Sequence, residues 1–205
     1  MALFPAFLKL SGRLCLVVGG GRVAEQKIAS LLSAEARVRV TALEVSPGIA
    51  AWVRERRVEW RARTFEAVDL EDAFLVVAAT PLETVNDQVY RLASERRVLC
   101  NSVDDPGRCD FFAGAVVRRG ALQLAISTGG LSPALAQRLR QRLEKDLGPE
   151  YGPWLDRLGE QRAEILAGQG DREEKRRRLH ALASEEGLEA FLQETARHPP
   201  GERAF

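Results

Sequence analysis

The sequence predicts an α/β fold in three parts: a parallel sheet with helices on both faces, a hairpin-plus-helix region, and a small helical C-terminal domain. Three observations predict it. Apolar runs at 13–18, 74–79 and 98–103 alternate with stretches of helical periodicity. Three glycines, Gly19 to Gly21, follow the first run directly. Beyond Gly148 the chain is helical in character almost throughout.

Residues 13–18 form a short apolar run bounded by glycine, the pattern of a strand buried on both faces. Val23, Ala24, Ile28, Leu31 and Leu32 then recur at helical spacing. Residues 37–43 alternate as a second strand, and Ser46-Pro47 opens a helix with a serine cap and proline in its first turn. Residues 58–63 give a weaker third strand and 74–79 a strongly buried fourth. Thr80-Pro81-Leu82-Glu83 reads as a capping box, starting a helix that runs through Val85, Val89 and Leu92. Residues 98–103 complete the strand–helix alternation, which specifies a parallel sheet. The pattern changes near residue 113. Strands at 113–118 and 121–127 join at Arg119-Gly120 as a hairpin. Ser132-Pro133 then caps a helix carrying Leu135, Leu139 and Leu143. The expected divisions are 1–112, 113–149 and 150–205.

Composition bounds the class. The 205 residues include 45% apolar residues, enough for a packed core. Thirty basic against 29 acidic residues leave a net charge of +1, which gives no electrostatic reason to expect nucleic acid. No run reaches the roughly 18 apolar residues of a membrane span. The start, MALFPAFLKLSGR, is too short and too weakly basic for a signal peptide and is expected to belong to the fold. Cys15, Cys100 and Cys109 are odd in number and lack a CxxC, which favours neither a disulfide framework nor a zinc site. A cytoplasmic setting is the expectation. The two histidines, His180 and His198, lie in the charged C-terminal third, so proton chemistry in the first half falls to a carboxylate or hydroxyl.

Gly19-Gly20-Gly21-Arg22-Val23-Ala24, between strand and helix, fits GxGxxG/A, the fingerprint of a Rossmann-type dinucleotide site. The first glycine of the fingerprint serves the tight turn, the second lets a pyrophosphate approach the backbone, and Ala24 lets helix and strand pack closely. Amides at the helix start hold phosphate charge. Glu44, just past the second strand, stands where an acid can accept from a ribose hydroxyl, favouring NAD; Arg22 and Arg39 are the alternative and would favour a phosphate. Asn101-Ser102-Val103-Asp104-Asp105-Pro106 follows a sheet strand at the edge where open α/β sheets bind ligands. Asp105 reads as a turn residue with Pro106-Gly107; Asp104 fits a turn and a catalytic carboxylate equally. A Tyr-x-x-x-Lys pair is absent, which excludes the short-chain reductase chemistry. Arg118, Arg119, Arg138 and Arg142 are cations available for an anionic substrate, and equally fit a solvated basic face.

Five segments carry a resemblance: Val17 to Ala24, Ala78-Ala79-Thr80, Thr84-Val85-Asn86, Cys100 to Asp104, and Ser127-Thr128-Gly129-Gly130-Leu131-Ser132-Pro133. In order and spacing over about the first 145 residues the chain resembles the precorrin-2 dehydrogenase family, the dehydrogenase and ferrochelatase module of siroheme synthase. The resemblance implies NAD-dependent oxidation of precorrin-2 to sirohydrochlorin, with ferrous-iron insertion in some members. It implies a homodimer built through the hairpin and the helix after it, and Asp104 as the principal catalytic residue, holding metal transiently at most. Gly19, Gly20, Gly21, Arg22, Val23, Ala24, Leu43, Glu44, Thr80 and Asn101 are expected at the cofactor. Ser127, Thr128, Gly129 and Arg138 are expected at the tetrapyrrole. Thr128 departs from the family, where a second serine commonly follows Ser127. A non-catalytic NAD-sensing regulatory module and a dehydrogenase of another anionic substrate are the competing classes.

Overall fold

A computed structural model describes residues 3–197; His198 lies outside them. The chain divides into two compact units, Met1–Ala113 and Gly114–Phe205.

The first unit is a five-stranded, all-parallel sheet in the order β3-β2-β1-β4-β5. Its strands are β1 (Leu14–Val18), β2 (Arg37–Thr41), β3 (Val58–Arg61), β4 (Ala73–Ala78) and β5 (Leu99–Ser102). The helices are α1 (Arg22–Ser33), α2 (Pro47–Arg54) and α3 (Glu83–Glu95). The two-residue period of β1 explains why it is apolar throughout. Cys15 and Val17 pack with Ala24, Ile28 and Ile49 from α1 and α2, while Leu16 and Val18 pack with Val89 and Ala93 of α3. Each fully buried valine, leucine or isoleucine among them contributes about 1.5–3 kcal/mol. Burial pushes the Cys15 thiol up to about 11 and, with the nearby Asp110 carboxylate, the Cys100 thiol up to about 12, so both remain protonated packing groups.

Expected strand boundaries shift by a residue or two. β2 ends at Thr41, leaving Leu43 and Glu44 in the loop beyond it, and β3 ends at Arg61. The expected capping box at Thr80 does not form. The α3 cap position is Leu82, which has no side-chain cap, and Glu83 is the first helical residue. The Thr80 hydroxyl is taken instead by Asn86, donating to its Oδ1 at 2.8 Å, while Asn86 Nδ2 donates back to the Thr80 carbonyl at 3.0 Å. By contrast Ser46 caps α2 as the sequence predicts, accepting from the Ile49 amide, with Pro47 in the first turn.

Asp69, fully buried in a 3₁₀ turn (Ala67–Leu70), went unmarked in the sequence. It accepts from Arg61 Nη1 at 2.7 Å, from Arg63 Nη1 and Nη2 at 2.8 and 2.7 Å, and from the Glu66 amide at 3.0 Å. Burial alone raises the Asp69 pKa, but the bonds from Arg63, Glu66 and Arg61 outweigh it and hold the carboxyl below the usual carboxylate range. A depressed folded-state pKa gives stability that is present above the ordinary carboxylate pKa and fades as pH falls through the depressed one.

The second unit opens with an antiparallel hairpin, β6 (Ala115–Arg119) and β7 (Leu122–Ile126). β6 includes Arg119, so the turn is Gly120-Ala121, one residue later than expected; Gly120 takes the left-handed φ of +57°. Helices α4 (Pro133–Asp146), α5 (Tyr151–Ala167), α6 (Arg172–Leu182) and α7 (Glu185–Arg197) follow, with α4 against both hairpin strands and α5 against β7. Arg119 ties hairpin to helix, Nη2 donating to the Glu144 carbonyl at 2.7 Å and Nε to Leu147 at 2.8 Å. No helix among the described residues is long and apolar enough to cross a membrane.

Candidate active site

A groove of about 680 Å³ runs over the C-terminal ends of β1, β2 and β4. Gly19, Gly20 and Gly21 line it, with Leu43, Glu44 and Ser46 after β2, Arg63 to Phe65 after β3, and Thr80, Leu82, Val85 and Gln88 from the β4–α3 connection. The three glycines do different work. Gly19 has a φ of +124°, and a Cβ there would overlap the Ala79 carbonyl. A Cβ on Gly20 would overlap the Glu44 carbonyl, because the Ser46 amide draws the two loops together by donating to the Gly20 carbonyl at 2.8 Å. The need for glycine at this middle position of the fingerprint was not read from the sequence. Gly21, the N-cap of α1, has φ −83° and open space where its Cβ would be. It leaves backbone accessible at a helix start, whose first amides have no intrahelical acceptors and attract anionic groups. Arg22 and Val23 are exposed beside it, while Ala24 is fully buried against β1.

Glu44 lies on the groove wall and is exposed. Arg63 also lines the groove, but its guanidinium is committed to Asp69. Arg39 is paired with Glu59 at 2.9 Å and does not line the groove.

Asp104 stands in the turn after β5, exposed, with a left-handed φ of +62°. Ser102 pairs with Ala78 of β4, and the Val103 amide donates to the Ala78 carbonyl at 2.9 Å. The turn therefore lies beside the chain leading into Thr80, at the same edge of the sheet as the groove. Asp105 serves the turn: Oδ1 accepts from the Gly107 amide at 3.0 Å and Oδ2 from Arg108. Asn101, expected at the cofactor, is buried and does not line the groove; its Nδ2 donates to the Phe111 carbonyl at 2.8 Å and to Cys109 Sγ at 3.3 Å. It fastens the chain that follows the turn.

In the second unit, Gly129 and Gly130 both have positive φ in the turn between β7 and α4. Ser127 Oγ accepts from the Gly129 amide and Thr128 Oγ1 from the Ser132 amide, each at 3.2 Å. Arg138 is exposed on α4; Arg119 is spent on backbone carbonyls, and Arg142 lies 3.7 Å from Asp146. Among the described residues no three His, Cys, Asp or Glu side chains converge as a metal site.

A glycine loop opening the first helix of a 3-2-1-4-5 parallel sheet, with an acid beyond the second strand, defines a Rossmann-type dinucleotide-binding domain. The chain belongs to the family described as putative NAD(P)-binding, which matches residues 6–115. The family described as sirohaem biosynthesis protein central matches residues 119–146. The chain is 41% identical over 165 residues to the siroheme synthase of Mannheimia succiniciproducens, covering 80% of this chain and 35% of that protein. It is 38% identical over 192 residues to the siroheme synthase of Thioalkalivibrio sulfidiphilus, covering 94% and 39% respectively. The chain thus spans little more than a third of these relatives. Among solved structures it resembles SirC, a precorrin-2 dehydrogenase, with a TM-score of 0.77 and 28% identity, over 96% of this chain and 100% of that one.

Proposed function

We propose that this chain binds NAD⁺ in the groove and oxidises precorrin-2 to sirohydrochlorin, a step of siroheme biosynthesis, in the cytoplasm. The observation that carries this reading is the pairing of an open Gly21 at the α1 N-terminus with the Asp104 turn at the same sheet edge. The similarity to SirC over nearly the whole chain supports the substrate. Bound NAD⁺ supplies the hydride acceptor. The residues supply the rest: the glycine loop and first turn of α1 hold the pyrophosphate, Leu43 packs against the adenosine and Glu44 accepts from its ribose, and Asp104 takes the proton released with the hydride. Glu44 repels a 2′-phosphate and the Arg63 guanidinium is engaged by Asp69, so the groove favours NAD⁺ over NADP⁺. Ser127, Thr128, Gly129 and Arg138 receive the carboxylates of the tetrapyrrole. Iron insertion is the second reaction proposed at Asp104: Fe²⁺ enters as substrate and two pyrrolic protons leave, one through this carboxylate. The test of cofactor and substrate is turnover of precorrin-2 with NAD⁺ or NADP⁺; sirohydrochlorin absorbance should grow faster with NAD⁺, and equal rates would remove Glu44 from cofactor choice.

The active form is a homodimer. Leu131, Leu135 and Leu139 are exposed large apolar residues at and along α4, and Val116 of β6 is exposed as well. Such a row is unfavourable in water and fits a second copy of the chain. Sedimentation at micromolar concentration should give a dimer, and Leu135→Glu with Leu139→Glu should give a folded monomer. A wild-type monomer would contradict this.

A further inference from the structure

We propose that Arg108 is a positioning residue that fixes the Asp104 turn against the helix forming the wall of the nucleotide groove; this rests on the reading of Asp104 as the base. Its guanidinium reaches three carboxylates from two elements. Nε donates to Asp87 Oδ1 at 3.0 Å, Nη1 bonds Asp105 Oδ2, and Nη1 also lies 3.5 Å from Glu83. Asp87 and Glu83 belong to α3, whose Val85 and Gln88 line the groove. Asp105 is the residue after Asp104 and also caps the short turn (Pro106–Arg108) that carries Arg108. One side chain therefore joins the carboxylate turn to the groove wall.

Cys109 Sγ donates to the Ser102 and Asp105 carbonyls within the turn, and Arg108 adds the link to α3. Asp104 has a left-handed φ of +62°, a conformation that aspartate adopts more readily than most residues but that still leaves the placement of the turn against α3 to its side-chain contacts. The backbone closure across it is long, the Asp105 amide donating to the Ser102 carbonyl at 3.3 Å. An arginine can fasten two elements at once because its planar fork carries five donors; a lysine ammonium on a flexible stem cannot hold both with the same geometry. Misplacing a reacting group by about 1 Å can cost on the order of 100-fold in rate.

The test measures kcat, KM for precorrin-2, NAD⁺ affinity by calorimetry and thermal melting for Arg108→Gln, Arg108→Lys and Asp87→Asn. Each is made in the full chain, alone and combined with Asp104→Asn. Arg108→Gln should lower kcat by about 10- to 100-fold with KM and NAD⁺ affinity nearly unchanged, and Arg108→Lys should recover only part of the loss. In the Asp104→Asn background the same changes should cost nothing further, since the group they position is gone. Asp87 is half exposed, so Asp87→Asn gives the same reading should Arg108→Gln fail to fold. Equal fractional losses in both backgrounds, or full kcat in the Arg108 and Asp87 variants beside an impaired Asp104→Asn, would overturn the positioning role alone. A fully active Asp104→Asn would overturn the base reading and the purpose of the fastening with it.

Discussion

Asp104→Asn should keep the fold, the dimer and NAD⁺ binding while losing about 100- to 10,000-fold in precorrin-2 turnover, the usual contribution of a general base. The substitution is well matched to the site. Asp104 holds a φ of +62°, and asparagine is among the few residues that adopt that conformation readily. The backbone therefore stays in place and only the charge and basicity go. Alanine at the same position would mix loss of the carboxylate with backbone strain. Asp105→Asn is the control. It keeps an oxygen for the Gly107 amide but weakens the bond to Arg108, so its loss should be milder. Equal losses in the two variants would point to disruption of the turn rather than of catalysis.

Gly21→Asp should fold normally and fail to bind NAD⁺ in calorimetry. At Gly21 nothing stands within 4 Å of the added Cβ, and its φ of −83° suits any residue. Aspartate is also a favourable N-cap, so α1 should be no weaker. The same carboxylate stands where the pyrophosphate must approach the helix start, and repulsion with steric exclusion should weaken binding by at least ~100-fold, about 3 kcal/mol. Gly20→Ala should behave in the opposite way. Its methyl group would overlap the Glu44 carbonyl, so melting should fall before any question of binding arises. Normal NAD⁺ affinity in Gly21→Asp would remove the loop from the cofactor site.

The parallel sheet was legible because its central strands are short apolar runs and its helices keep their 3.6-residue period. The glycine loop and the Ser46 cap were legible because both are local: each is decided by a few adjacent residues. What escaped depends on distant partners. Thr80 carries the local pattern of a helix cap, but Asn86 claims its hydroxyl, and that competition is settled only in three dimensions. Asp69 looks like any surface acid until Arg61 and Arg63 close over it. Gly20 occupies a variable position of the fingerprint, and its necessity comes from the Glu44 carbonyl of another loop. The bond from Arg108 to Asp87 joins a 3₁₀ turn to a helix and has no signature in either segment. Asn101 was recognised as part of a telling segment, yet the structure assigns its amide to holding Phe111 and Cys109.

The most direct measurement follows nicotinamide reduction and sirohydrochlorin formation together when the purified chain is supplied with precorrin-2 and NAD⁺ under anaerobic conditions. Two electrons leave the substrate as a hydride, so one NADH and one proton should appear for each sirohydrochlorin formed, at a rate abolished by Gly21→Asp and strongly reduced by Asp104→Asn. Tight NAD⁺ binding with no turnover of precorrin-2 would contradict the dehydrogenase reading and leave a nucleotide-sensing module.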